Sequence, residues 1–368
     1  MVGTDIGRVF YYENIGNVTA PKFVFRTGDA NPFDGIDGFS NQGNPALADI
    51  DGDGDLDLAL GDGGGEILYY ENEGSPEGPQ FVGRKSTEFP WPEDFEVENC
   101  CIPRFVDIDG DGDLDLVLGG TLGDLTLFEN KANAAVAPKV VEIAGAASPL
   151  DFVDVDVHGT GQAYSAPTLV DLDGDGDLDV VVGHAMLYDI NGDEEFSIDE
   201  YEAGASALTF FLYENTGSSV APAFVQKTGS DPFAFVDAFE KSAATFGDLD
   251  QDGDLDMVVG DDGGYISYYE NVGSLTVASY VARQGLSCPF PPVSTVGESF
   301  NPALGDIDGD GAAPLCLSRD PDRATNIDLS QATSISSSPS MDCNILRMTA
   351  QRRIRDTSPG LDLSGSMA

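Results

Sequence analysis

Five aspartate clusters, beginning at Asp49, Asp107, Asp171, Asp248 and Asp306, recur along this chain at intervals of 58, 64, 77 and 58 residues. The same elements surround each one, so the chain reads as a tandem repeat before anything else. An apolar stretch precedes the cluster: Pro45-Ala-Leu-Ala, Pro103-Arg-Phe-Val, Pro167-Thr-Leu-Val, Ala244-Thr-Phe-Gly and Pro302-Ala-Leu-Gly. After the first four clusters come strand-like runs at 56–60, 114–118, 178–182 and 255–259. A Gly-rich turn follows, clearest at Gly61-Asp-Gly-Gly-Gly and Gly260-Asp-Asp-Gly-Gly. Aromatic strands ending in Glu-Asn come next, at 67–72, 125–130, 210–215 and 266–271. Short segments such as Pro79-Gln-Phe-Val and Pro222-Ala-Phe-Val complete the unit.

Each unit therefore predicts four short strands joined by tight turns. The runs after the clusters are almost unbroken Leu, Val and Ala, as suits a strand buried on both faces. No segment holds a helical period. An all-β chain of four-stranded units must bury each sheet against its neighbours, which predicts a β-propeller over residues 1–311. A β-solenoid would need shorter, more regular repeats. Both ends of the repeat array are cut. Residues 1–14 match the turn and aromatic strand of a unit without its Asp cluster, and the fifth cluster breaks off after Gly311 into Ala-Ala-Pro314. Either the two half-units pair to close a ring of five blades, or the chain holds about five repeats of a larger, incomplete ring. The lack of repeat pattern after Gly311 favours the larger ring. It also marks residues 312–368, which are Ser-rich and neutral overall, as disordered or as not the natural continuation.

The intact clusters read Asp-x-Asp-x-Asp-Gly-Asp-Leu-Asp. The four sets are Asp49, Asp51, Asp53, Asp55, Asp57; Asp107, Asp109, Asp111, Asp113, Asp115; Asp171, Asp173, Asp175, Asp177, Asp179; and Asp248, Asp250, Asp252, Asp254, Asp256. Carboxylates at positions 1, 3 and 5 converge only if the chain curls, and glycines such as Gly52 and Gly54 make the curl inexpensive. A carbonyl at position 7 and a carboxylate at position 9 would complete an oxygen cage. Hard oxygen donors without Cys or His select Ca²⁺ over zinc or copper, and over Mg²⁺, which keeps its waters. The alternative is a set of Asp/Gly-rich hairpin turns without metal. The fifth cluster keeps Asp306, Asp308 and Asp310 but has Pro314 at position 9, so it lacks the last ligand.

These loops, with Ala48-Asp-Ile-Asp-Gly-Asp-Gly-Asp-Leu-Asp-Leu-Ala-Leu-Gly and its copies, and the trailing Tyr-Tyr-Glu-Asn strand, resemble the FG-GAP/VCBS repeat family. Its best-known member is the β-propeller of the integrin α-subunit. The resemblance covers residues 1–311. It implies a propeller, usually of seven blades, with Ca²⁺ in the hairpin loops. It also implies an extracellular or cell-surface setting, in adhesion, ligand binding or polysaccharide handling.

The longest interval contains an EF-hand-like insertion within 184–206. There Asp189, Asn191, Asp193, Ser197 and Glu200 occupy positions 1, 3, 5, 9 and 12, with Glu195 at position 7, as in a Ca²⁺ loop. Glu194 stands where the turn wants glycine, and the alternative reading is an acidic, solvated loop.

Charge narrows the partners. The chain carries 65 acidic and 17 basic residues, a formal charge of −48, and the entire excess lies before residue 312. A field of that sign excludes nucleic acid as a direct partner and disfavours anionic membrane surfaces. No apolar run reaches the ~18 residues of a membrane span. No signal peptide precedes the repeat, whose first partial copy already includes Met1. Only two histidines, His158 and His184, are present, and no nucleophile elbow or phosphate loop occurs. A binding module for a protein or glycan ligand is expected rather than an enzyme. The alternative is a polysaccharide-active enzyme or a lectin on the same propeller, with Trp91 or Tyr265 as an aromatic platform. Trp91 would be exposed as such an anchor or buried at a blade edge. Cys100 or Cys101 could bridge to Cys288, and Asn17-Val-Thr19 forms a single glycosylation sequon.

Overall fold

The structure is a computed structural model. It describes residues 9–317 except 18, 37–42, 76–77, 86–90, 92–100, 132–139, 156–162, 187–209, 229–231, 234–235, 237–241, 262–264, 292–300 and 308–314. Among the described residues twenty strands form five antiparallel sheets of four. The first sheet runs β3 (Gly43–Ala48), β4 (Asp57–Asp62), β5 (Ile67–Asn72) and β6 (Phe81–Gly83). In the second, β7 (Ile102–Val106), β8 (Asp115–Gly119), β9 (Thr126–Asn130) and β10 (Val140–Ile143) follow in the same order. The third comprises β11 (Ala163–Val170), β12 (Asp179–Met186), β13 (Phe210–Asn215) and β14 (Phe224–Gln226). The fourth comprises β15 (Ala243–Gly247), β16 (Asp256–Gly260), β17 (Ile266–Asn271) and β18 (Tyr280–Arg283). There is no α-helix among the described residues, and none long and apolar enough to cross a membrane.

The fifth sheet joins the two half-units. Its order is β19 (Ala303–Leu304), β20 (Leu315–Leu317), β1 (Phe10–Asn14) and β2 (Phe23–Arg26). β20 pairs antiparallel with β1 through Phe10↔Leu317, Tyr11↔Cys316 and Tyr12↔Leu315. Closure is visible at the innermost strands as well. β3 contacts β7, β7 contacts β11, β11 contacts β15, β15 contacts β19, and β19 contacts β3. Of the two readings, the structure carries the five-sheet one: the half-units share a sheet, and β19 touches both β15 and β3. β20 also lies beyond Gly311, where the repeat pattern had stopped. Its three residues need only backbone pairing to act as a strand, so they carry no repeat motif. A 3₁₀ turn at Gly285–Ser287 follows β18.

In the first four sheets the second strand is the most deeply buried over its described residues. Every residue of β4, β8 and β16 is buried, as is Val180-Val181-Val182 of β12. The sheets stack through mixed aliphatic and aromatic clusters. In one, Ala59, Ile67 and Tyr69 of the first sheet meet Leu116, Leu118 and Phe128 of the second. Trp91 belongs to this cluster. It is 4% exposed and packs edge-on to Tyr69 at 6.0 Å. Of the two readings of Trp91, burial at a blade seam is the observed one. Ile102, Tyr164, Ala166 and Ala243, on or beside the first strands, form a buried cluster, and Asn301 Nδ2 donates to Asn44 Oδ1 at 2.7 Å and to Tyr164 Oη at 3.1 Å. Cys101 and Cys288 are not bridged to each other; Cys101 Sγ is 3.0 Å from Glu66 O.

Candidate metal centre

Each Asp cluster is the loop between the first and second strands of a blade, so the antiparallel sheets repeat one loop at one end of successive blades. Local hydrogen bonds give the four loops a common curl. The position-1 carboxylate accepts the position-6 amide: Asp49 Oδ2 from Gly54 at 3.0 Å, Asp107 from Gly112 at 3.0 Å, Asp171 from Gly176 at 3.1 Å, Asp248 from Gly253 at 3.2 Å. Position 3 accepts from position 5, and position 5 from position 7, as in Asp53 N to Asp51 Oδ1 at 3.1 Å and Asp55 N to Asp53 Oδ1 at 3.0 Å. Position 4 is left-handed in every loop, with φ of +79° at Gly52, +72° at Gly110 and Gly174, and +58° at Gln251. Gln251 is the only non-glycine described residue with positive φ.

This curl draws carboxylate oxygens together. One oxygen from each of Asp49, Asp51 and Asp53 lies within 4.8 Å of the others, and the same holds for Asp171, Asp173, Asp175 and for Asp248, Asp250, Asp252. In the second loop the trio is Asp107, Asp109 and Asp115. The position-7 side chains of Asp55, Asp113, Asp177 and Asp254 do not join these trios.

Position 9 has a second role. Asp57, Asp115, Asp179 and Asp256 are 1–3% exposed. One oxygen of each accepts the position-2 amide, and the other accepts the amide of the Asn that ends the third strand. For Asp57 these are Ile50 N at 3.1 Å and Asn72 N at 2.8 Å; for Asp115, Ile108 N at 3.0 Å and Asn130 N at 2.7 Å. Asp179 and Asp256 repeat the pattern with Leu172 and Asn215, and with Leu249 and Asn271. In the first and fourth blades a tyrosine adds its hydroxyl, Tyr69 to Asp57 at 3.0 Å and Tyr268 to Asp256 at 2.9 Å. The other two blades have Leu127 and Leu212 at that place. Burial pushes all four carboxyls up to about 6, against the lowering by these donors. Burial and neighbouring carboxylates also raise Asp51, Asp173, Asp250, Asp177 and Asp254.

The loops fit a hard cation. Each gathers acceptor-only oxygens, and no basic residue lies within any of the four nine-residue segments. Asp49 keeps one buried oxygen without a hydrogen-bond partner, which leaves it poorly solvated. An ion held by each trio would supply the missing countercharge. Asp308 and Asp310 of the fifth cluster lie outside the described residues, as does the segment with Asp189, Asn191, Asp193, Glu195 and Glu200.

A family model for the FG-GAP-like repeat matches residues 49–118, 107–182 and 248–314, more than half of the chain. The chain belongs to the FG-GAP-like repeat family. Each matched span starts at an Asp loop, and the first two end in the second strand of the following blade, so the sequence repeat straddles two sheets of this FG-GAP propeller. The stretch left unmatched between 183 and 247 contains the insertion. No curated protein matches the chain.

Sequence reasoning did not foresee the work of the Glu-Asn pair. Asn72 Oδ1 accepts Gly74 N at 3.1 Å and Gln80 N at 2.8 Å, pinning the turn to the fourth strand; Asn14, Asn215 and Asn271 do the same. The preceding glutamates pair across the strand with a base, Glu71 with Arg84, Glu214 with Lys227 and Glu270 with Arg283. Recurrence of Glu-Asn at the end of each aromatic strand was the available signal.

Proposed function

We propose that this FG-GAP propeller is a Ca²⁺-stabilised, extracellular binding module, acting in adhesion or in capture of a protein or glycan ligand. The observation that carries the reading is the set of four hairpin loops that each draw three carboxylate oxygens within 4.8 Å of one another. Ca²⁺ there is structural. It offsets repulsion in the loops, and through the position-9 Asp it steadies the turn that the Asn holds. Shallow, partly exposed loops suit the weak affinities of extracellular modules, which meet millimolar Ca²⁺. Binding rather than catalysis is favoured by the scarcity of histidine and of nucleophile motifs in the sequence.

Equilibrium dialysis with Ca²⁺ is expected to give at least four ions per chain. At tenfold excess over its dissociation constant each ion adds about 1.4 kcal/mol. EGTA should therefore lower the melting temperature, and a melt indifferent to EGTA would refute a structural role for the ion. Glycan and protein arrays probed with and without Ca²⁺ test the module reading; turnover of a glycan would move it to the enzyme class.

A further inference from the structure

We propose that the Asp loops of the second, third and fourth blades bind Ca²⁺ cooperatively, because the turns between the third and fourth strands of the third and fourth blades are each seated on the Asp loop of the blade before. The inference rests on the reading of these loops as Ca²⁺ sites and concerns how they are regulated.

The turn at 216–223 in the third blade closes on itself through Thr216 N to Ala223 O at 2.9 Å and Ala221 N to Ser218 O at 3.0 Å. Asn215 Oδ1 holds its base, and Asn215 N donates to Asp179 of the same blade's loop. At the tip, Val220 leans on Gly110, position 4 of the second blade's loop. A Cβ on Gly110 would lie 2.6 Å from Val220 Cγ1 and 3.0 Å from Ser219 O. The fourth blade repeats the arrangement one step on. Asn271 links Asp256 to the turn at 272–279, and Leu275 covers Gly174 of the third blade's loop. A Cβ on Gly174 would lie 2.5 Å from Leu275 Cγ. Gly112 and Gly176, equally left-handed at position 6, have no such neighbour within 4 Å. The approach is thus particular to position 4 of the second and third loops; Gly52 of the first loop has no such neighbour.

Three loops are therefore joined in series: 248–256 through Asn271 and Leu275 to 171–179, and 171–179 through Asn215 and Val220 to 107–115. An ion on positions 1, 3 and 5 orders the position-2 amide that the position-9 Asp accepts, and through that Asp the Asn and the turn. The seated tip then holds the next loop's position 4 in its left-handed state, so the second ion meets less ordering cost. Val220 and Leu275 are 64% and 48% exposed, which marks them as seats rather than core.

The full chain, stripped of metal, is titrated with Ca²⁺ against a chromophoric chelator. The expected isotherm is steeper than independent sites allow. Asp250→Asn, which cripples the fourth loop, should weaken the remaining sites about fivefold or more. Leu275→Ser and Val220→Ser touch no carboxylate; they should keep the ion count while the isotherm flattens to independent binding. A wild-type isotherm that fits independent sites, or full steepness retained in Leu275→Ser, overturns the coupling while leaving the Ca²⁺ sites standing. A wild-type chain that binds no Ca²⁺ removes the sites themselves, and the coupling with them.

Discussion

Asp57 and its counterparts Asp115, Asp179 and Asp256 are the residues on which each blade's loop, third strand and outer turn converge. Removing one strands several buried donors at once, and an unmet buried donor costs about 1–3 kcal/mol. Asp57→Ala leaves Ile50 N, Asn72 N and the Tyr69 hydroxyl without their acceptor. It should destabilise the protein by about 3 kcal/mol or more, measured by urea unfolding in EGTA so that metal loss does not contribute. Asp115→Ala strands two amides and no hydroxyl, and its cost should be smaller. Equal costs would show that the tyrosine bond adds nothing. Five aspartates in a nine-residue loop look alike in the sequence, and burial is what separates them. Positions 1, 3 and 5 stay near solvent, whereas position 9 turns into the sheet.

At the scale of elements, the seams between blades depend on small residues at fixed places. The second strands carry Gly61, Gly119 and Gly183 four residues after the position-9 Asp, and a Cβ there would lie 2.3, 2.1 and 2.0 Å from Cys101 O, Ser165 O and Ser242 O of the next blade. The glycine after each apolar run was legible as a turn signal, but its use as a point of backbone approach needed the neighbouring sheet. Gly119→Ala should cost about 1–3 kcal/mol through the displaced strand, read as a drop in urea midpoint at unchanged m-value. A neutral outcome would mean that the seam has room to give. The buried second strands and the aromatic third strands follow from sequence pattern, because their neighbours are other copies of the same pattern.

For the whole molecule, the four buried carboxyls set the pH dependence of the metal-free state. Their folded values, up to about 6, lie above the ordinary 3.8. A raised acid favours folding while protonated, so this contribution is fully present below about 4 and is lost as pH rises through about 6. Self-repulsion of a chain of charge −48 runs in the same direction. In EGTA the melting temperature should be higher at pH 5 than at pH 7.5. With saturating Ca²⁺ the gap should shrink or reverse, because ions bind the deprotonated loops. A metal-free protein more stable at pH 7.5 would contradict the burial of these groups.

Repetition made the four-stranded unit, the loop positions and the oxygen chemistry readable from the sequence alone. Each is a local property, stated several times over, and noise in one copy is corrected by the others. Closure and division of labour were decided only in three dimensions. Whether residues 1–14 find the chain's other end depends on how many sheets fill a turn of the ring, which follows from packing angles that no single repeat encodes. β20 lacks the motif and is recruited by the open edge of β1. Likewise, the seating of Val220 and Leu275 on glycines of the preceding loop joins residues 110 and 101 positions apart. Only the stacking of one blade on the next brings them together.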